Sequence, residues 1–496
     1  MAKKDSIEKY KHLYKQSFWW NFFGLYVKTL HTLFYKNIVV EGKENIPKDC
    51  PLIFAPNHQN ALMDPLAILF TFNRQIVFLA RADIFKNKIF AKALYFLKIL
   101  PVFRIRDGKE NLANNDLTFD IAVKVLESKQ YIGIFPEARH NNKRQLLNFK
   151  KGIPRLAFMA EEKNNFNLNL KIIPVGIYYS QYNRMRSIIH IRYGKPISVS
   201  DFKDEYFDNQ QKAMLSLRDK MQEATSNLTI DIQNLELYDT YESIRTLYVK
   251  NLIRKFQLGK LTQINKFKAD KITINALNTF ECDYPEKMLE IKSQVEHHES
   301  LKKKYKLSDQ SIEKPFLSIF RLIINTLIII LCLPIYIYGL LNNALVYFSP
   351  KLIVLKIKDK QFHSSIKFVW AVFLAPIIYL IQIVIFSLVI PNIYLIIAYA
   401  ISLPLTGLLA QLIFEWIIIL VEDWRLLKLR YFNKSEYKKL KQTHKNLILE
   451  LDSIINHWKK ISESEVSVIH NLFFFTVRIY FFIFLIIKDF NLSRIF

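Results

Sequence analysis

The sequence predicts an α/β domain with a mainly parallel sheet covered by helices, followed by a charged helical extension and a membrane region of α-helical transmembrane segments. Short β-rich runs alternate with helical stretches over residues 37–200, which is typical of parallel sheets. Residues 201–314 are charged, and their apolar positions fit helices better than strands. Residues 368–390 contain no charged side chain, and residues 393–421 contain one, Glu415. Since about 20 apolar residues cross a bilayer, both runs are long enough to be transmembrane helices.

A chain of 496 residues is too long for one compact domain of the usual size. The changes of composition divide it into five parts. The expected parts are an amphipathic membrane-associating helix (1–36), the sheet-containing domain (37–200), the charged helical extension (201–314), the membrane region (315–425, with a hairpin at 368–421) and a helical tail with an interfacial apolar segment (426–496). We assign no chemistry to the extension, and expect its run 210–233 to be a solvated helix.

The sheet-containing domain carries seven candidate strands, each short and rich in β-branched or aromatic residues. They are residues 37–41, 51–55, 75–80, 100–106, 131–135, 171–177 and 188–193. In an open α/β sheet, ligands bind outside the carboxyl ends of the strands. The polar clusters described below end or follow one of these strands, so the sequence predicts a site at this edge of the sheet.

The formal net charge of +26 indicates an anionic partner or surroundings. Nucleic acid is not expected, because the basic residues are spread along the chain and there is no zinc-finger spacing or RNA-recognition signature. An anionic membrane surface and phosphate-bearing substrates fit the charge better. A lysine-rich composition without any specific partner would give the same charge. Three widely spaced cysteines show neither metal-ligand nor disulfide spacing, which fits a reducing compartment.

An amphipathic helix with many aromatic residues is predicted at 18–35. Such a helix can lie in the lipid interface or pack on the domain, and the sequence leaves both arrangements open. The chain begins with Lys3, Lys4 and Asp5 and shows no secretory signal before the domain. We therefore expect the sheet-containing domain to face the cytoplasm, at what we take to be a bacterial cytoplasmic membrane.

The charges around the long apolar runs predict their topology. Pro391 and Asn392 form a turn between them, so the two outer flanks lie on one side of the membrane. The basic residues of the flanks are Lys351, Lys356, Lys358, Lys360 and Lys367 before the hairpin, and Arg425, Lys428, Arg430 and Lys434 after it. The positive-inside rule puts both flanks in the cytoplasm. Residues 316–341 must then cross an even number of times, as a re-entrant or interfacial hairpin, and the short run 471–487 is expected to be interfacial.

The strongest local motif, FAPNHQNALMDP, contains His58 and Asp64. Asp64 followed by Pro65 is typical of a helix N-terminus, and this local role alone would explain Asp64 and Pro65. A histidine after a buried strand can also act as a general base, provided that a carboxylate accepts its other ring N–H. Six positions do not place the two side chains on one helix face, so the loop must turn back for them to meet.

This motif resembles the signature of the PlsC-type glycerophospholipid acyltransferases, in which a histidine and an aspartate share an asparagine-histidine loop. The resemblance implies the glycerolphosphate acyltransferase fold and catalysis by His58 and Asp64. Five residues separate the pair here, where four are usual. The longer loop is similar to that of the fungal glycerol-3-phosphate and dihydroxyacetone-phosphate acyltransferases.

Two arginines follow the fourth candidate strand. Arg104 and Arg106 project from the same face of an extended chain and could hold a phosphate together. Arginines at the end of a strand are also commonly solvated. The resemblance implies that Arg104 binds the acceptor phosphate, whereas Arg106 is added from the strand geometry alone.

A third block, FPEARH, resembles the family's Phe-Pro-Glu-Gly-Thr-Arg sequence, with Ala138 in place of the glycine and the arginine one position earlier. It predicts that Glu137 holds a glycerol hydroxyl and that Arg139 meets the phosphate. His140 is a weaker candidate for a role. Lys151 stands where a helix begins, a position that suits an anion.

A fourth block, the apolar strand IIPVGI at 172–177, matches the family's proline-bearing strand. Four blocks in the expected order predict an acyltransferase of phospholipid biosynthesis that transfers a fatty acyl group from acyl-CoA or acyl-carrier protein to 1-acylglycerol-3-phosphate, giving phosphatidate. Glycerol-3-phosphate or dihydroxyacetone phosphate are the alternative acceptors. The expected partners are a membrane lipid, the acyl thioester donor and the glycerol-phosphate acceptor. No cofactor and no metal are expected.

Two other classes of protein fit the sequence less well. A hydrolase acting through a serine would need a Gly-x-Ser-x-Gly segment, which the sequence lacks. A non-enzymatic membrane scaffold or transport protein would account for the apolar C-terminal region but not for the four ordered blocks.

Overall fold

The structure, a computed structural model, describes residues 17–72, 74–103, 114–314 and 318–492. Contacts between Cα atoms separate the chain into two compact units. The first comprises Met1–Gln233 and Leu327–Ile417, and the second comprises Asn234–Thr326 and Ile418–Phe496. The sheet and the candidate active site both belong to the first unit.

An eight-stranded sheet forms the centre of the first unit. In chain order the strands are β1 (Asn37–Glu41), β2 (Leu52–Pro56), β3 (Ile76–Arg81), β4 (Ile99–Val102), β5 (Tyr131–Gly133), β6 (Lys171–Tyr179), β7 (Ile188–Tyr193) and β8 (Ile197–Ser198). Their spatial order is β1-β7-β6-β2-β5-β3-β4, with β8 beside β6. Strands β6, β2, β5, β3 and β4 are mutually parallel, while β7 and β8 pair antiparallel with β6. The prediction of a mainly parallel sheet is confirmed.

Helices cover both faces of this sheet. Those of the first unit before the membrane region are α1 (Phe18–Phe34), α2 (Met63–Leu69), α3 (Lys88–Phe96), α4 (Asn114–Glu127), α5 (Gly152–Lys163), α6 (Lys203–Asp208) and α7 (Gln210–Leu228). Successive residues of β2 face opposite sides, so Ile53 joins a core with α4, α5 and α7, whereas Phe54 joins a core with α1 and α2. All five residues of β2 are buried. The strand that leads into the His58 motif is therefore held firmly on both faces.

Helix α7 belongs to this core and is not the solvated helix that we expected over 210–233. Ala213, Leu217 and Met221 are fully buried in the core beneath the sheet. Gly176 of β6 allows the end of the helix to dock, because a Cβ there would lie 2.1 Å from the carbonyl oxygen of Leu228. The buried stripe uses only one residue in four, which makes the helix look polar in the sequence.

The membrane region contains α12 (Ile319–Asn342), α13 (Ala344–Val354), α14 (His363–Val389) and α15 (Ile393–Phe432). Three of these helices, α12, α14 and α15, are long and apolar enough to cross a membrane. Glu415, the charged residue of the second run, pairs with Arg186 of the α/β domain at 3.2 Å. That pairing compensates a charge that would be costly in the hydrocarbon core.

The segment 316–341 is not a hairpin by itself, because α12 continues through Pro334 and Gly339 as one helix. Gly339 serves close packing, since a Cβ there would lie 2.3 Å from the carbonyl oxygen of Thr406. Helix α12 ends at Asn342, and α13 begins two residues later at Ala344. The prediction of an even number of crossings stays a prediction.

Polar side chains bind the junction between α12 and α13. Asn343 donates to the carbonyl oxygens of Gly339 and Leu403, at 2.9 and 3.1 Å. The hydroxyl of Tyr379 donates to the Asn343 side chain at 2.5 Å, and that of Tyr399 donates to Asn342 at 2.9 Å. Such bonds satisfy backbone and amide groups that water would not reach within a bilayer.

The second unit is helical throughout its described residues. It contains α8 (Tyr238–Lys255), α9 (Gln263–Asp283), α10 (Pro285–Tyr305), α11 (Asp309–Ile312) and α16 (Lys434–Leu492), together with the adjoining parts of α12 and α15. A buried pair between Arg245 of α8 and Asp270 of α9, at 2.7 Å, and apolar contacts of α10 with α16 stabilise it.

Candidate active site

The candidate site lies at the carboxyl ends of β2, β5 and β6, where the sequence predicted it. Residues 57–62 leave β2 as a loop and enter α2. The side chain of Asn57 fixes the start of this loop to β6, because it accepts from the N–H of Ile177 at 2.7 Å and donates to the carbonyl of the same residue at 3.1 Å.

His58 and Asp64 face each other across this loop. The Nδ1 atom of His58 lies 2.9 Å from Oδ2 of Asp64. Asp64 is fully buried, whereas 13% of the His58 side chain remains exposed. The carboxylate is buried and accepts, so the tautomer with a proton on Nδ1 is favoured. The opposite nitrogen, Nε2, is then free of a proton and can act as a base.

Asp64 accepts three further hydrogen bonds, which explain how a buried carboxylate is stabilised. The backbone N–H groups of Gln59 and Asn60 donate to Oδ2 at 2.9 and 2.7 Å. The hydroxyl of Tyr179, at the end of β6, donates to Oδ1 at 2.9 Å. Together these donors curl the loop around the carboxylate and set the position of His58.

Glu137, which the sequence suggested as a contact for the glycerol, binds backbone N–H groups of the protein. It is almost fully buried, and its two oxygens accept from the backbone N–H groups of His58 at 2.7 Å and Leu147 at 3.1 Å. Burial raises the pKa of Glu137 to about 8, against the opposing effect of these two donors. With both oxygens engaged, Glu137 braces the backbone of His58, which supports a positioning role rather than a contact with the glycerol.

Two rings flank the imidazole of His58. Phe135 stacks on it with ring centroids 3.9 Å apart, and His140 lies on it at 4.0 Å. Burial, together with neighbouring His58, lowers the pKa of His140 to about 4, so this second imidazole is neutral at neutral pH. The flanking rings restrict the rotation of His58 without adding a charge.

The N-terminal end of the membrane helix α14 also contacts the site. Ser365 accepts from the backbone N–H of Leu62 at 3.1 Å, and Ser364 donates to the carbonyl of Tyr182. Lys367 donates to the carbonyl of Asn183 at 2.9 Å. The His58 loop is thereby tied to the end of a helix that is long and apolar enough to cross a membrane.

Four residues were predicted to bind the phosphate. Arg104 and Arg106 lie outside the described residues. Arg139 is exposed next to Ala138. Lys151 precedes α5, as predicted, and its amino group donates to Gln211 at 3.2 Å.

Ala138 has a backbone conformation that favours glycine, the residue of the family block that this segment resembles. Its φ of 56° is in the left-handed region, which costs an alanine roughly 1–2 kcal/mol. The turn after β5 therefore keeps the conformation of a glycine although the residue has changed.

Three residues that sequence analysis did not select also belong to this site. Tyr179 binds Asp64, and Tyr182 donates to the side chain of Gln59 at 2.6 Å. Arg144 is buried, donates to the carbonyl of Tyr179 at 2.8 Å, and packs over the ring of Tyr182. The aromatic pair at 178–179 was visible as a sequence feature, but nothing local indicates that it reaches Asp64.

Comparisons with known proteins concern the part of the chain that contains this site. Residues 37–178 match the family described as Acyltransferase. The chain is 28% identical over 187 residues to glycerol-3-phosphate O-acyltransferase 2 of Saccharomyces cerevisiae, covering 35% of this chain and 24% of that protein. It is 30% identical over 152 residues to the 1-acyl-sn-glycerol-3-phosphate acyltransferase of Borreliella burgdorferi, covering 31% of this chain and 55% of that protein.

A third relative, glycerol-3-phosphate O-acyltransferase 1 of Saccharomyces cerevisiae, is 26% identical over 138 residues, covering 27% of this chain and 18% of that protein. The chain thus spans at most about half the length of these relatives. A solved structure, the 1-acyl-sn-glycerophosphate (LPA) acyltransferase PlsC of Thermotoga maritima, has a TM-score of 0.30 and 21% identity, covering 42% of this chain and 78% of that one. The part of the chain that matches the family described as Acyltransferase, residues 37–178, contains His58, Asp64 and Glu137.

Proposed function

We propose that this protein transfers a fatty acyl group from an acyl thioester, acyl-CoA or acyl-carrier protein, to the free hydroxyl of 1-acylglycerol-3-phosphate, giving phosphatidate for phospholipid biosynthesis. The observation that carries the proposal is the contact between Nδ1 of His58 and the buried carboxylate of Asp64. It leaves one imidazole nitrogen available as a base at a partly exposed position.

The reaction follows from this geometry. His58 Nε2 takes the proton of the acceptor hydroxyl as the oxygen attacks the thioester carbonyl. The tetrahedral intermediate then collapses, the carbon–sulfur bond breaks, and the imidazolium returns the proton to the leaving thiolate. Asp64 stabilises the imidazolium between these steps. The substrate supplies the nucleophile, so the protein needs no nucleophilic serine and no resident cofactor for this step.

The backbone N–H groups of residues 57–60 are engaged within the protein and are not available to stabilise the oxyanion. The N–H groups of Asn57, His58, Gln59 and Asn60 already donate to Val175, Glu137 and, for the last two, Asp64. We propose that the acceptor phosphate is bound by Arg104, Arg106 and Arg139. Lys151, which follows these residues in the sequence, is proposed as a fourth cation for the phosphate.

Glycerol-3-phosphate or dihydroxyacetone phosphate is the alternative acceptor. Two of the relatives are named glycerol-3-phosphate O-acyltransferases, and one is named for 1-acyl-sn-glycerol-3-phosphate. The five residues between His58 and Asp64 favour the first group, since the longer loop resembles the fungal branch. The lipid acceptor is preferred here because the His58 loop contacts the end of α14.

We further propose that the domain works at the cytoplasmic face of a bacterial membrane. Helix α1 supports a position at the lipid interface. One of its faces packs on the sheet and on α14, where the Tyr26 hydroxyl donates to the carbonyl of Val372 at 2.8 Å. Its other face leaves Trp19 and Phe22 about two-thirds exposed. Both arrangements that the sequence left open are therefore compatible with one helix.

An acceptor panel tests the proposed reaction. Full-length protein in lipid nanodiscs is incubated with palmitoyl-CoA or palmitoyl-acyl-carrier protein and each acceptor in turn, and the ester product is measured by mass spectrometry. We expect phosphatidate to form fastest, from 1-acylglycerol-3-phosphate. Faster acylation of glycerol-3-phosphate or dihydroxyacetone phosphate would select the alternative. No ester from any pair of substrates would refute the enzymatic function and favour a membrane scaffold.

A further inference from the structure

Two histidines and an aspartate meet inside the helical second unit. His298 of α10 and His444 of α16 are 146 residues apart in the sequence, yet Nε2 of the first lies 3.2 Å from Nδ1 of the second. The Oδ1 atom of Asp309, in α11, lies 3.9 Å from the same Nε2 atom. His298 is 1% exposed and His444 is 9% exposed, so both rings are in the interior.

The spacing of these three atoms fits a metal ion. A tetrahedral zinc ion with bonds of about 2.0–2.1 Å holds its ligand atoms about 3.3 Å apart. The distance between the two nitrogens already has this value, and all three atoms lie within 4.8 Å of one another. Rotation of the Asp309 carboxylate, which would bring its Oδ1 atom closer than the present 3.9 Å to Nε2 of His298, would complete the set. Two imidazoles and a carboxylate are ligands that zinc accepts.

Asp309 shows an unfilled bonding position directed at the histidines. Its Oδ1 atom is buried and has no hydrogen-bond partner among the described residues. Its Oδ2 atom accepts from Lys302 at 2.6 Å, and Lys302 also binds Glu299 at 2.7 Å. Carboxylates that bind metals are commonly held in this way by a second residue. An orphaned buried oxygen is otherwise costly.

We propose that His298, Asp309 and His444 form a Zn²⁺ site that fastens α10 and α11 to α16, with water as the fourth ligand. The alternative is a plain N–H···N hydrogen bond between two neutral histidines. This hydrogen bond would account for the 3.2 Å contact between the two rings. It would leave the buried Oδ1 atom of Asp309 without a hydrogen-bond partner among the described residues.

Metal content of the purified full-length protein tests the site. Protein in detergent is stripped with EDTA, exposed to excess Zn²⁺, passed through a desalting column and analysed by inductively coupled plasma mass spectrometry. The variants are His444→Asn and Asp309→Asn, and the matched control is His297→Asn, because His297 neighbours His298 but is exposed. We expect one Zn²⁺ per chain in wild type and in the control, and at least a tenfold weaker affinity in either ligand variant.

Two further measurements keep the test decisive if a ligand variant folds poorly. Co²⁺ bound to nitrogen and oxygen ligands absorbs visible light, so the wild-type protein alone should give one equivalent of this absorption, which Zn²⁺ displaces. Lys302→Met leaves the ligands in place and should weaken Zn²⁺ binding about 10–100-fold, as expected when a second residue no longer orients a ligand. Retention of equal zinc by wild type and Asp309→Asn, or no Co²⁺ absorption in wild type, would overturn the proposal.

Discussion

Replacing Asp64 by asparagine separates its charge from its shape. Oδ2 of Asp64 faces three N–H donors, namely Nδ1 of His58 and the backbones of Gln59 and Asn60, whereas Oδ1 faces only the hydroxyl of Tyr179. The asparagine amide must therefore put its oxygen at the Oδ2 position. Its NH2 group then faces the hydroxyl of Tyr179, which can turn to accept. The loop and the tautomer of His58 are expected to survive.

What Asp64→Asn removes is the negative charge beside the imidazolium. Hydrogen bonds to a charged group are worth about 1.5–3 kcal/mol, against about 0.5–1.5 kcal/mol for neutral pairs. The bonds from the backbone and from neutral His58 lose part of this difference in every state, and the bond from His58 weakens further when the imidazole becomes cationic. Allowing also for the lost Coulomb attraction across 2.9 Å, we expect kcat to fall about 100-fold, equivalent to about 2.7 kcal/mol.

The assay follows release of the thiol from palmitoyl-CoA at saturating acceptor, so that kcat and KM are separated. KM for the acceptor should change little. Tyr179→Phe is the control, since it removes one donor but keeps the charge, and it should cost only about 3–10-fold. Activity of Asp64→Asn within threefold of wild type, or an equal loss in Tyr179→Phe, would show that the charge of Asp64 is not what the reaction uses.

Three further predictions concern residues around the site and in α1. Glu137→Gln should lower kcat and leave KM for the acceptor unchanged, because both oxygens bind backbone N–H groups; a raised KM alone would restore its predicted contact with glycerol. Ala138→Gly should raise the Tm in thermal inactivation, since it relieves a φ of 56°, and an unchanged or lower Tm would mean that the turn carries no strain. Burial lowers the pKa of His31 to about 3. Below about pH 6.5 the unfolded chain binds a proton at His31 and the folded chain does not, so the free energy of unfolding decreases as the pH is lowered, by about 1 kcal/mol between pH 6.5 and 5.5. His31→Phe should remove this part of the decrease in Tm. An identical pH dependence of Tm in both proteins would contradict the assignment.

The strands were predictable because their signal is local. Periodicity and apolar content placed β1 and β7 at their observed bounds. Helix α7 was misjudged, since its buried positions include a small alanine, and only the docking against Gly176 shows that the face is covered. The single-helix character of α12 was missed for a similar reason, because Pro334 and Gly339 usually interrupt helices in water but are tolerated in packed apolar surroundings.

The candidate site was predictable only in part. His58 and Asp64 stand out through one short motif, and the structure brings their side chains together. Glu137 binds His58 from 79 positions away in the sequence, and Tyr179 binds Asp64 from 115 positions away. No local pattern reveals contacts over such separations. The sequence indicated a hydroxyl-binding role for Glu137, but no local pattern showed that Glu137 also accepts from the backbone N–H of His58.

The most direct test of the central claim is acyl transfer by His58→Ala beside wild type and the exposed-histidine control His297→Ala. Each full-length protein is placed in lipid nanodiscs, supplied with palmitoyl-CoA and 1-acylglycerol-3-phosphate, and assayed for phosphatidate. Removal of the general base should lower the rate by at least about 100-fold, with membrane insertion unchanged and with the control fully active. Phosphatidate formation by His58→Ala at a rate near that of wild type would contradict the mechanism.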